Sequence, residues 1–168
     1  MKTKKIAFLG TMLTLALVLG YVERIIPFNV GIAGVKIGLA NIIVLLLLKK
    51  QGIGAALTVN VLRIVIVNLL FGSVISLAFS LFGGVLSTIA MYFMLKLKIF
   101  GEVGVSAVGG VVHNIGQTLA AALLVSQGAV LRLLPYLMLF GEISGILCGI
   151  AVAVIIKASR KTFLTNKI

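Results

Sequence analysis

Apolar residues in this chain come in long runs that end at charge, proline or glycine, with none of the strict alternation of a half-buried strand. A helix needs about 20 mostly apolar residues to cross the hydrocarbon of a bilayer. Cutting the runs at their interruptions predicts six spans, at about residues 6–22, 36–48, 53–71, 73–95, 103–127 and 135–156, the second of them short. Pro27 and Pro135 fall beside spans, where a missing N–H and a fixed φ cost least. No low-complexity tract or linker divides the chain. The expectation is therefore an all-α integral membrane protein of six transmembrane helices, with residues 1–168 forming a single transmembrane domain.

Composition supports the membrane and excludes a water-soluble fold. Charged residues are 11% of the chain, against about a quarter in ordinary globular proteins, too few for a polar coat. The net charge of +12 would suit a nucleic-acid binder, but here the cations are scattered between runs of membrane length, so no nucleic-acid partner is expected. They act instead as topology signals. With six spans, Lys2, Lys4, Lys5, Lys49, Lys50, Lys96, Lys98, Lys157, Arg160, Lys161 and Lys167 share one side. Arg24, Lys36 and Arg132 lie on the other, and Arg63 lies inside the third span. Eleven cations against three predict a cell-membrane protein with both termini cytoplasmic. The Lys-rich start resembles a signal peptide, but the run is long and Val18-Leu19-Gly20 is a poor cleavage site, so it is kept as a span.

Polar side chains at bilayer depth are costly, and they mark the candidate chemistry. Arg63 lies about ten residues into the third span, with Asn60 one turn before it on the same face and Asn68 pointing elsewhere. His113, Asn114 and Gln117 sit near the middle of the fifth span, with His113 and Gln117 on one stripe. Glu142 lies in the outer half of the sixth. Arg63 and Glu142 either form a buried ion pair that fixes helix register, or Arg63 holds the anionic group of a ligand. His113 is either a hydrogen-bonded tie between helices or part of a solute-binding wall. Lys36 and Asn41, with Gly34 and Gly38 around them, are either a helix start with a snorkelling Lys or a constellation that closes over an anionic solute at a helix N-terminus. Tyr21, Phe28, Tyr92 and Tyr136 suit interfacial anchors, or Tyr21 and Phe28, beside the external loop expected from Glu23 to Val35, cover an aromatic or apolar ligand.

Small residues in the first span recur four apart, Gly10 with Thr14 and Ala16 with Gly20, a spacing that permits close packing against another helix or subunit. Other chemistry finds no support. The three acids are all Glu, and without Asp the Asp-rich magnesium sites of prenyl-diphosphate chemistry cannot be built. There is no phosphate-binding loop, no nucleophile elbow and no Cys pair, Cys148 being single. One His offers no zinc-like ligand set, and nothing in the spacing asks for haem. Neither enzymatic activity, nor a metal, nor a cofactor is expected, and any pumping must draw its energy from a partner or a gradient.

The six-span layout, the loop leading into Gly34-Val35-Lys36-Ile37-Gly38-Leu39-Ala40-Asn41, and Val112-His113-Asn114-Ile115-Gly116-Gln117 together resemble the Gx transporter family, over about residues 5–156. That family is often labelled heptaprenyl diphosphate synthase component I and is similar to the substrate-binding S-components of energy-coupling factor (ECF) transporters. The resemblance implies an S-component-like bundle that captures a small anionic or vitamin- or prenyl-like solute from outside. Lys36, Asn41, Asn60, Arg63, His113, Asn114, Gln117 and Glu142 would be its polar lining. It also implies docking of Gly10, Thr14, Ala16 and Gly20 against a transmembrane T-component joined to two ATPase subunits. An alternative implication is a non-catalytic membrane subunit in prenyl or quinone metabolism, or in flavin- or quinone-dependent extracellular electron transfer.

Overall fold

The computed structural model describes residues 2–25, 38–125 and 128–165, and among them the chain is entirely helical. Its elements are α1 (Lys2–Ile25), α2 (Asn41–Gln51), α3 (Ile53–Phe71), α4 (Val74–Leu97), α5 (Glu102–Val125), a 3-10 turn (Gly128–Leu133) and α6 (Leu134–Thr165). Five helices, α1 and α3 to α6, are long and apolar enough to cross a membrane.

The second expected span is corrected. The helix begins at Asn41 and has 11 residues, so at about 1.5 Å per residue it covers roughly half of the ~30 Å hydrocarbon core. Lys36, expected at its mouth, lies outside the described residues, as does Phe28. The sequence of α2 is apolar on every side, and such a helix belongs in the middle of a bundle. Ile43, Val44, Leu45, Leu47 and Leu48 are all buried, and α2 touches each of the other five helices. Around it the long helices form an arc in the order α1, α3, α4, α5, α6, each packing on the next.

Local chemistry sets the turns. Gly52, at φ 85°, adopts the positive-φ backbone that lets α2 and α3 meet head to tail, and its N–H bonds back to the Leu47 carbonyl. A tight turn at Phe71, Gly72 and Ser73 joins α3 to α4, with the Ser73 hydroxyl capping α4 by accepting from the Ser76 N–H at 3.1 Å. Lys49, in the last turn of α2, pairs with Glu102 in the first turn of α5, each charge at the helix end whose dipole favours it. Large apolar side chains, among them Leu69, Val74, Phe82, Leu123 and Val154, cover the outside of the bundle, as a hydrocarbon solvent requires.

Backbone closeness, rather than side-chain bulk, joins α6 to α5. Gly141, Gly145 and Gly149 repeat every fourth residue along one stripe of α6. An added Cβ at Gly145 would lie 2.5 Å from the Ser106 carbonyl oxygen, and one at Gly149 would lie 2.6 Å from the Val103 Cα. Only glycine lets the two backbones come this near.

Candidate functional site

Where α2 begins, the bundle holds a polar cavity of about 110 Å³. Arg63 is ten residues into α3 and Asn114 is twelve residues into α5, which puts the cavity about 15–18 Å from the ends where those helices start. That end of the cavity is close to the middle of a bilayer, while Glu23 in the last turn of α1 and Asn68 in the last turn of α3 carry its wall toward the opposite side. All six helices contribute to the wall: Glu23 from α1, Asn41 from α2, Arg63 and Asn68 from α3, Ser80 from α4, His113 and Asn114 from α5, and Ser144 from α6.

Arg63 is held from behind. Its Nη2 donates to Asn60 Oδ1 at 2.8 Å, and Asn60 Nδ2 in turn donates to the Gly84 carbonyl at 3.1 Å and to Thr88 Oγ1 at 3.0 Å. Asn60 is fully buried and does not line the cavity, so of the expected pair on α3 one residue positions the other. The Arg63 Nε is buried with no hydrogen-bond partner. Gly20 lies beside the guanidinium, and an added Cβ there would be in ordinary contact, 4.0 Å from Nη1 and 3.5 Å from Val67 Cγ2.

The opposite charge is Glu23, which sequence reasoning did not select. It lies in the last turn of α1, accepts from the Gly38 N–H at 2.6 Å and acts electrostatically on Arg63. Gly38 needs its positive φ of 72° to turn into α2, and its carbonyl accepts a long 3.5 Å contact from Cys148 Sγ. The start of α2 is thus tied to both α1 and α6.

The expectation for Glu142 is corrected. Gly141, Ser144 and Gly145 face inward, and at 100° per residue this turns Glu142 off that stripe. It is exposed beside a separate apolar groove with Val111, Leu134 and Met138, and the Arg63–Glu142 pair does not form. Asn68 is also corrected, because it is buried and lines the cavity, its Oδ1 accepting from Ser76 Oγ at 2.9 Å. The His113 and Gln117 stripe divides: His113 and Asn114 line the cavity, whereas Gln117 is one turn away with its Oε1 buried and unpartnered. Asn114 Nδ2 donates to the Leu137 carbonyl, tying α5 to the first turns of α6.

The four small residues of α1 do not form one face. Ala16 is buried in the core and Gly20 packs inward on Val67, while Gly10 and Thr14 are exposed. The two pairs are separated by six residues, or about 240° around the helix. No group of three or more His, Cys, Asp or Glu among the described residues is placed to hold a metal ion.

The sequence matches the model of the family described as Heptaprenyl diphosphate synthase component I over residues 12–155. The chain belongs to that family. Comparison with curated proteins and with solved structures gives no match. The region that defines membership in the heptaprenyl diphosphate synthase component I family contains every residue of the cavity wall, from Gly20 to Ser144.

Proposed function

We propose that this membrane protein is a solute-binding subunit of an uptake system, akin to the S-components of ECF transporters, which takes a small polar solute into the cavity at the start of α2. The observation that carries the proposal is Arg63, a cation at mid-depth among polar groups from all six helices, held by Asn60 and with its Nε unpartnered. A charge there is expensive unless a ligand or partner uses it. The half-length α2 adds a helix N-terminus at the same depth, an arrangement that transporters use to hold anionic substrate groups. Both termini would be cytoplasmic and the cavity would fill from outside. The chain itself is not an enzyme: with no Asp and no nucleotide-binding motif, catalysis and energy belong to partners. The exposed Gly10 and Thr14 face of α1 is the contact offered to a T-component and its two ATPase subunits.

The test is twofold. Purified Arg63→Ala protein should stay monodisperse and lose the small molecules that native mass spectrometry finds on the wild type. If it unfolds or aggregates instead, Arg63 is structural. Affinity capture from gently solubilised membranes should recover a T-component and ATPases. The family description favours a second reading, a membrane partner of a prenyl-diphosphate synthase, and capture of a soluble synthase without ATPases would establish that reading instead.

A further inference from the structure

We infer that the solute is a zwitterion, carrying an acidic group and an ammonium or comparable cationic donor together; the inference rests on the solute-binding proposal and specifies its substrate class. Arg63 and Glu23 line the same cavity but are not in contact, the direct ion pair among the described residues being Lys49 with Glu102 at the far end of α2. In a medium of low dielectric, opposite charges sharing a cavity attract strongly and would be expected to close on each other. Each is instead tethered to a neutral group, Arg63 to Asn60 Oδ1 at 2.8 Å and Glu23 to the Gly38 N–H at 2.6 Å. The tethers hold a positive and a negative wall apart.

A simple anion would answer Arg63 but meet the Glu23 carboxylate, and a simple cation would do the reverse. An uncharged solute would leave both charges desolvated. A zwitterion satisfies both walls, its acidic end toward Arg63 and its cationic end toward Glu23. Glu23 opposes the dipole of its own helix from the last turn of α1, and the Gly38 N–H at the start of α2 holds it in place there.

Full-length protein extracted in mild detergent tests the inference. Heat-released material is partitioned against chloroform to remove bilayer lipids, and the aqueous molecules are run over ion exchangers. The expected molecule binds neither exchanger at neutral pH, binds the cation exchanger in acid and binds the anion exchanger in alkali. Its occupancy should fall about tenfold or more in both Arg63→Ala and the isosteric Glu23→Gln. Retention by the anion exchanger at neutral pH, retention by neither exchanger at any pH, or undiminished occupancy in Glu23→Gln each overturns the zwitterion while leaving solute binding standing. No released molecule from wild-type protein overturns both. Should Arg63→Ala fail to fold, Glu23→Gln alone decides.

Discussion

Replacing Gly145 by Ala tests the seam that holds Ser144 and the α6 wall of the cavity against α5. The added Cβ would lie 2.5 Å from the Ser106 carbonyl oxygen and 2.7 Å from the Ala107 Cα, and neither backbone atom can rotate away. Ordinary contact begins at 3.4 Å, so the helices must part by about 0.9 Å. A gap of that size forfeits about a quarter to a half of the dispersion energy across it, and overpacking of this kind costs about 1–3 kcal/mol. Alanine is also the better helix former by about 1 kcal/mol, which hides part of the cost. Gly10→Ala supplies the correction, because an added Cβ there meets nothing within 4 Å. The difference between the two variants should then be about 1–3 kcal/mol, with Gly145→Ala the less stable. Thermal unfolding in detergent with a thiol-reactive dye reads it out: Cys148, the one cysteine, is 3% exposed and becomes reactive when the bundle opens. Should Gly145→Ala unfold at the same temperature as Gly10→Ala or above it, the close approach of α5 and α6 is refuted.

Three further outcomes are expected. Asn60→Leu removes the acceptor that holds Arg63 and should cost about 1.5–3 kcal/mol in the same unfolding assay, together with the bound solute; an unchanged unfolding temperature would show that Arg63 is held by other means. Gly38→Ala forces an L-residue to φ 72° and brings a Cβ to 3.1 Å from Asn41 Nδ2, so it should destabilise by about 1–2 kcal/mol while Gly38→Asn is better tolerated, and equal stability of the two would contradict the turn. In a Cys148→Ser background, a membrane-impermeant maleimide should label Arg132→Cys on intact cells and Lys98→Cys only after permeabilisation; the reverse pattern would invert the proposed topology.

Much of the site was legible because cost at depth is a property of single residues. Arg63, His113 and Asn114 stand out in apolar runs wherever the neighbouring helices go, and all three line the cavity. Glu23 was missed because the apolar run ends at Val22, which makes the next residue look like the start of a loop. Only the helix continuing to Ile25 and the approach of Gly38 turn that carboxylate inward. Its position just past a span, as one of three acids in the whole chain, was the available clue. Glu142 looked the better partner by depth alone, yet depth does not say which side of a helix a residue occupies. Likewise the repeat of Gly141, Gly145 and Gly149 was plain in the sequence, but glycine is frequent in membrane helices, and only the carbonyl of Ser106 shows what this stripe is for.

By itself the sequence determines that α1 and α3 to α6 are long apolar helices, because insertion into hydrocarbon is a sum of local transfer terms that neighbours barely alter. The same sum cannot distinguish a span from α2, whose leucines are equally apolar whether they meet lipid or five other helices. Tertiary structure decided that α2 starts at mid-depth, that Glu23 rather than Glu142 faces Arg63, and that Ala16 and Gly20 are used inside the bundle. Each depends on which faces meet, and a rotation of 100° per residue turns a small change in helix packing into a different partner.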